Sequence, residues 1–271
     1  MFKRIFCIAD IHGSYIPIEN FWNRHKEKIN FSPQTDCIIL LGDAGLNYYL
    51  NKNDKKFKYE LGKYPFTYFC IRGNHEERPS IIASQKVKEW QTETFFENII
   101  YVEKDYPYIK YALDNIQIYN ISYLNTDNII KKYKTLIIPG AYSIDKYYRI
   151  KNGWNWFKFE QLSKEEQEEG RKLIQKNPEF DIVLSHTCPI SYEPTDLFLP
   201  FIDQSTVDRS MEQFLEEIEY NIEYKLYLFG HFHNLRIYPK KDKKQIIMLF
   251  NKEVFNLTEY FNTFNPYFSL Y

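Results

Sequence analysis

Apolar residues in this chain gather in short runs, and the runs stop at residues of one chemical kind. The first, Ile5-Phe6-Cys7-Ile8-Ala9, ends at Asp10-Ile11-His12. The second, Cys37-Ile38-Ile39-Leu40-Leu41, ends at Gly42-Asp43, and the third, Phe66-Thr67-Tyr68-Phe69-Cys70-Ile71, ends at Arg72-Gly73-Asn74-His75-Glu76. Residues 135–139 stop at Gly140, residues 182–184 run into Ser185-His186, and residues 226–229 run into Gly230-His231-Phe232-His233. A continuous β-prone run without polar alternation reads as a strand covered on both faces. Residues 108–112 and 116–121 read as two strands joined in a hairpin through Leu113-Asp114-Asn115. Two closing strands are expected near 235–238 and 245–251.

Helical spacing appears between these runs. Ile16, Ile18, Phe21 and Trp22 predict a helix over about residues 17–28. Ser163 and Glu166 form a capping-box pattern for a helix reaching about residue 175. Ser205 or Thr206 is expected to cap a helix to residue 220, with Met211, Phe214, Leu215 and Ile218 on its apolar face. Residues 51–63 read as a helix or a long connection, 79–82 as a turn or short helix, and 86–100 as a helix or edge structure. The tail over 260–271 is aromatic and is expected to pack on the body or on a partner. There is no internal repeat and no Pro/Gly/Ser-rich linker, so residues 1–271 are read as one domain.

Composition changes this picture little. The 271 residues include 24 Tyr and 22 Phe but 9 Gly, alongside much Lys, Ile and Asn, a bias of AT-rich coding with no functional weight of its own. Lys plus Arg is 35 and Asp plus Glu is 36, a net charge of −1, which argues against a dedicated binder of long nucleic acids and leaves a local basic groove open. Cys7, Cys37 and Cys70 sit in apolar runs, and Cys188, two residues after His186, is read as a packed thiol. No Cys-x-x-Cys pair supports a zinc ribbon or thioredoxin-type site. The apolar stretch before Asp10 is too short for a secretory signal, and no run approaches a membrane span. A cytoplasmic location with no membrane partner is expected. His25, between Arg24 and Lys26, reads as a surface residue.

The run ends hold the chemistry. They supply Asp10 and His12; Asp43; Asn74 and His75; His186; and His231 and His233. Five of the 6 histidines fall here. In α/β sheets, ligands sit beyond the carboxyl ends of strands, so residues far apart in sequence converge. If the strands continue extended, Asp10 and His12 share one side, as do His231 and His233. Imidazole, carboxylate and amide donors without thiolate favour Mn, Fe or Zn over a soft metal. Eight such groups suit two ions, which can clamp the attacking and leaving oxygens of a displacement at phosphorus.

In order, Asp10-Ile11-His12-Gly13, Gly42-Asp43, Gly73-Asn74-His75-Glu76, Ser185-His186 and Gly230-His231-Phe232-His233 resemble the five signature blocks of the calcineurin-like metallophosphoesterases. The resemblance implies an α/β fold, a four-layer α/β/β/α sandwich with two mixed β-sheets, and a dinuclear centre at one edge. It implies a first metal held by Asp10, His12, Asp43 and His233 and a second by Asp43, Asn74, His186 and His231. Manganese is the expected metal, with iron or zinc the alternatives. His75 would not ligate; it would protonate the leaving oxygen or stabilise charge in the transition state. The expected substrate is a protein or small-molecule phosphate. A phosphodiesterase or nuclease of the same fold, acting on cyclic nucleotides, dinucleoside polyphosphates or nucleic acid, is the alternative, and a non-catalytic protein-binding scaffold a more remote one. The serine/threonine phosphatase branch carries Asp-Arg-Gly after the Gly-Asp block, whereas this chain reads Gly42-Asp43-Ala44-Gly45. Arg149 and Arg72 are the candidates to replace that phosphate-binding arginine, Arg72 also being read as a partner for Glu76.

Overall fold

The computed structural model describes residues 1–125, 127–240, 242 and 244–271. Two sheets form the centre. The first comprises β1 (Arg4–Ile8), β2 (Asp36–Leu41), β3 (Thr67–Ile71), β4 (Trp90–Phe95), β5 (Asn98–Glu103), β6 (Ile109–Tyr111) and, from the far end of the chain, a strand at Phe255–Asn256. The second comprises β7 (Gln117–Leu124), β8 (Ile130–Ile138), β9 (Ile182–Ser185), β10 (Leu226–Phe229), β11 (Arg236–Ile237) and β12 (Gln245–Met248), which makes the Phe255–Asn256 strand β13. The sheet orders are β13-β1-β2-β3-β6-β5-β4 and β11-β12-β10-β9-β8-β7. Both mix parallel and antiparallel pairs.

The layers follow from which faces are apolar. Ile5, Ile39, Phe69 and Val102 of the first sheet meet Tyr119, Ile137, Leu184 and Leu228 of the second in one core. The outer face of the first sheet packs on α1 (Ile16–His25), α2 (Lys52–Leu61) and α3 (Pro79–Gln85) through Ile18, Phe21, Phe57, Leu61 and Ile82. The outer face of the second packs on α5 (Lys164–Lys176) and α6 (Ser210–Tyr220) through Ile174, Met211, Phe214 and Leu215, with the short α4 at Lys146–Lys151 before them and α7 at Leu257–Thr263 closing the chain. The four-layer arrangement and two mixed sheets are therefore present. β1, β2, β3, β9 and β10 are buried along their whole length or nearly so, as continuous apolar runs require.

Several expectations are corrected. β6 and β7 do not form a hairpin, because β6 pairs parallel with β3 while β7 pairs antiparallel with β8 in the other sheet. Residues 86–100 hold the hairpin instead. β4 and β5 pair from Trp90↔Glu103 to Phe95↔Asn98 around Phe96-Glu97, both at positive φ (47° and 66°). A two-residue turn of that conformation is normally signalled by Asn-Gly or Asp-Gly, so its sequence conceals it. Ser205 and Thr206 do not cap α6. They lie in a 3₁₀ turn capped by Asp203, and α6 starts at Ser210. The Ser163 capping box is formed as expected.

The tail packs on the body. Val254 and Tyr271 exchange backbone hydrogen bonds, and the Tyr271 ring meets Phe6, Phe21 and His25. His25 is thus covered on one side by the chain's own C-terminus. All four cysteines are buried free thiols, Cys188 within the core facing α6. Among the described residues, no helix is long and apolar enough to cross a membrane.

Candidate active site

The run ends of β1, β2, β3, β9 and β10 converge on one edge of the two sheets. Convergence depends on backbone turned out of the strand. Asp10, His12, Asp43, His231 and His233 all have positive φ, at 55°, 45°, 47°, 72° and 53°. For residues with a Cβ this left-handed conformation is strained and persists where the surroundings impose it, most often at functional sites. The extended alternation expected for Asp10-Ile11-His12 is therefore replaced by tight turns past the strand ends, which aim the same side chains inward. Two glycines permit close approach. A Cβ on Gly42, itself at φ +81°, would lie 2.1 Å from His186 Nδ1, and one on Gly73 would lie 2.1 Å from Asp43 Oδ1.

Ligand-type atoms crowd together in three overlapping groups: Asp10, His12 and His233; Asp10, Asp43 and His186; and His12, Asp43 and His75, each within 4.8 Å. His12 Nε2 faces His233 Nε2 at 2.9 Å. Two imidazole nitrogens so aimed repel unless a proton or cation lies between them. His186 Nδ1 engages the Leu41 carbonyl at 2.8 Å, which turns Nε2 towards Asn74 Oδ1 at 2.9 Å and Asp43 Oδ1 at 3.4 Å. With its proton displaced, Nε2 joins Asn74 Oδ1 and Asp43 Oδ1 in a donor set suited to a metal ion whose histidine is oriented by a backbone carbonyl. His231 joins none of the three groups. Its ring stands 5.0 Å from that of His186, and its backbone N–H donates to Asp10 Oδ2 at 2.9 Å.

The electrostatics agree. Burial lifts Asp10 to about 8 and drops His12 to about 4. Burial would lift Asp43 as well, but His75, His186 and His12 hold it well below the usual carboxylate range. Burial, followed by the neighbouring His186, pushes His231 well below an ordinary histidine. His186 runs the other way: burial opposes its charge, but Asp43 and Asp10 raise it to about 9. A buried anion ringed by imidazoles that mostly resist protonation keeps lone pairs free for a cation.

The sequence profile of the calcineurin-like phosphoesterases matches residues 3–235. The chain belongs to that family. It is a metal-dependent phosphoester hydrolase, and the groups just described are its candidate metal ligands. No curated protein matches the chain in sequence. Among solved structures, a dimetal phosphatase from Danio rerio is 10% identical over 94% of this chain and 92% of its own, with a TM-score of 0.48. The calcineurin-like phosphoesterase YfkN from Bacillus subtilis is 14% identical over 93% and 83%, with a TM-score of 0.40. The protein TT1561 of Thermus thermophilus is 11% identical over 96% of each chain, with a TM-score of 0.49.

In this phosphoesterase the two arginine candidates separate. Arg72 is buried and donates to the carbonyls of Glu160 at 2.6 Å and Gly73 at 3.3 Å. It braces backbone, does not line the cavity beside the ligand cluster, and among the described residues makes no ion pair with Glu76. Arg149, on α4, reaches the site. Its Nη2 lies 2.7 Å from His75 Nε2, Nη1 bonds the Tyr48 hydroxyl at 3.2 Å, and Nε sits 2.7 Å from Asp145 Oδ1. Nη2 is also 3.1 Å from His75 Nδ1, so the guanidinium faces both ring nitrogens and disfavours a further cation on His75, although His75 shares a ligand-type group with His12 and Asp43. Burial lowers the pKa of His75, Asp43 opposes the shift, and Arg149 reinforces it.

Other contributors escaped the sequence reading. Asn74 Nδ2 donates to Ser143 Oγ at 2.9 Å, which fixes the amide so that its oxygen faces His186. Ser143 bonds Glu160, which also takes Trp156 Nε1. The one available signal was Gly140, a further apolar run ended by glycine. Glu76 accepts from the backbone N–H groups of Gly45 at 2.9 Å, Leu46 at 3.3 Å and Gly73 at 3.3 Å, and so ties the loops after β2 and β3. Glu76→Ala would strand these buried donors, and a loss of order 3 kcal/mol in urea unfolding is expected. An unchanged midpoint would show that the loops hold without it.

Proposed function

We propose that this phosphoesterase hydrolyses phosphate monoesters of a protein or small molecule at a dinuclear metal centre. In this reading Asp10, His12, Asp43 and His233 hold one divalent ion, and Asp43, Asn74, His186 and His231 hold the other, with manganese, iron or zinc suited to the donors. Two such ions, when bound, clamp phosphate oxygens and lower the pKa of water towards neutral. The observation that carries the reading is the contact of His12 Nε2 with His233 Nε2 at 2.9 Å, beside the cluster of His186 Nε2, Asn74 Oδ1 and Asp43 Oδ1.

The chain's own groups do the remaining work. The Leu41 carbonyl and Ser143 orient His186 and Asn74. His75 faces Arg149 Nη2 with both ring nitrogens, Nε2 at 2.7 Å and Nδ1 at 3.1 Å, and its Nδ1 lies 3.7 Å from Asp43 Oδ2. In this reading the protonated imidazolium of His75 gives its proton to the leaving oxygen and is left neutral. Arg149 supplies the cation absent after Gly42-Asp43, and it contacts the phosphate by exchanging its Tyr48 or His75 partner for a phosphate oxygen. Arg149→Ala is expected to raise KM for p-nitrophenyl phosphate about ten- to a hundredfold with metal content unchanged, the size of a lost charged hydrogen bond. Arg149→Lys would recover part of it, since an ammonium lacks the fork. An unaltered KM in Arg149→Ala would remove it from the substrate site.

The reading is tested by a panel of mono- and diesters, nucleotides, dinucleoside polyphosphates and phosphopeptides with added Mn. Monoester turnover well above diester turnover is expected. Turnover confined to diesters or nucleic acid would refute the monoester assignment.

A further inference from the structure

A cavity of about 370 Å³ opens beside the ligand cluster, with Asn74, His75, His231 and His233 at its inner end. Its walls beyond them are largely apolar: Ile144, Leu197, Phe198, Leu199, Val207 and Phe232. The rings of Phe198 and Phe232 lie near parallel, 22° apart with centroids at 6.5 Å. The charges in the lining are one-sided. Asp145, Glu193, Asp208 and Glu212 are acidic, and Arg209 is the one cation among the described lining residues. Arg209 is committed to the protein. Its Nε lies 3.1 Å from both Glu193 carboxylate oxygens, its two Nη groups bond the Gln204 carbonyl and side chain at 2.8 Å and 2.7 Å, and its guanidinium covers the Phe198 ring. Glu212 is buried, takes the Thr187 hydroxyl on Oε1 at 2.7 Å, and has no partner for Oε2. Asp145 is paired with Arg149 and Glu193 with Arg209, so among the described lining residues no uncommitted cation offers a second phosphate or a carboxylate a counter-charge, and Asp208 disfavours one.

We propose that this cavity is the leaving-group subsite and that it selects an uncharged or cationic alcohol with an apolar body, rejecting anionic leaving groups. The inference rests on the monoesterase reading for its chemistry and on the lining residues for its selectivity. It sets nucleotides joined through further phosphates and nucleic-acid strands against monoesters of small apolar alcohols. The loop from Thr187 to Arg209 acts as a specificity wall, strapped by Arg209 to Glu193 and by Arg236 to Asp196.

The test uses the leaving groups themselves, so that it reads out without turnover. Calorimetric titration of the intact protein with 3-hydroxybenzamide, 3-(aminomethyl)phenol and 3-hydroxybenzoate compares neutral, cationic and anionic fragments of one size. The neutral and cationic phenols are expected to bind at least about tenfold more tightly than the anion, the scale of one partly screened charge contact. Glu193→Gln releases the Arg209 guanidinium and is expected to narrow that gap, and Phe198→Ala to weaken all three. Equal or tighter binding of 3-hydroxybenzoate, or binding of none, would overturn the inference. The monoesterase reading is judged separately, by p-nitrophenyl phosphate hydrolysis in the same preparation.

Discussion

Asp43→Asn is expected to lower hydrolysis of p-nitrophenyl phosphate by at least about a hundredfold and to reduce metal content at the same time. The two losses belong together because of where Asp43 sits. Its carboxylate is buried at the end of β2, 3.4 Å from His186 Nε2 and 3.7 Å from His75 Nδ1, and Oδ1 accepts the His75 backbone N–H at 2.8 Å. Asparagine keeps the shape and one acceptor oxygen but removes the charge that three histidines surround. The fold is expected to persist, because an uncharged amide in place of a buried carboxylate sheds a desolvation penalty as well as an attraction. Metal analysis beside a circular dichroism spectrum separates the outcomes. Normal metal content with lost activity would move Asp43 from ligation to chemistry. Normal turnover would remove it from the site.

His75→Gln is expected to behave differently: a fall in kcat of about a hundred- to ten-thousandfold, the range for general acid–base catalysis, with both metals retained. The distinction follows from Arg149. A guanidinium 2.7 Å from Nε2 occupies the ring edge that a ligating histidine would offer to an ion. Glutamine can still hydrogen bond to Arg149 but has no titrating proton to give. The loss is expected to shrink for esters with good leaving groups, which need little protonation. Equal losses for p-nitrophenyl phosphate and for an alkyl phosphate would mean that His75 acts on the phosphate rather than on the leaving oxygen. Loss of metal in His75→Gln would place it among the ligands.

The central strands and the residues at their ends were legible because both signals are local. A buried strand is written as an unbroken apolar run, and a carboxylate or imidazole after it stands out. What remained hidden depends on contacts distant in sequence or on unusual backbone. The Phe96-Glu97 turn takes a conformation its residues do not advertise. β7 forms a hairpin with the next strand, β8, and what places the two in the second sheet is the pairing of β8 with β9, while β6 pairs with β3; neither long-range pairing is recorded in a local pattern. β13 is two residues long and is identified by its pairing with β1. Within the site, Arg149 was a candidate on charge alone, and its contact with His75 spans 74 positions. Ser143 and Glu160 act through Asn74, a type of support that a motif does not carry. The left-handed turns at Asp10, His12, His231 and His233 replaced the extended alternation first expected, yet they bring the same side chains together. The backbone route differs from the one expected.

Metal stoichiometry is the most direct test of the dinuclear centre. Protein stripped with chelator and titrated with Mn(II), followed by elemental analysis and p-nitrophenyl phosphate turnover, is predicted to take up two ions per chain, with activity rising as the second site fills and neither appearing in Asp43→Asn. Full turnover by the chelated protein, or saturation at a single ion with full activity, would contradict it.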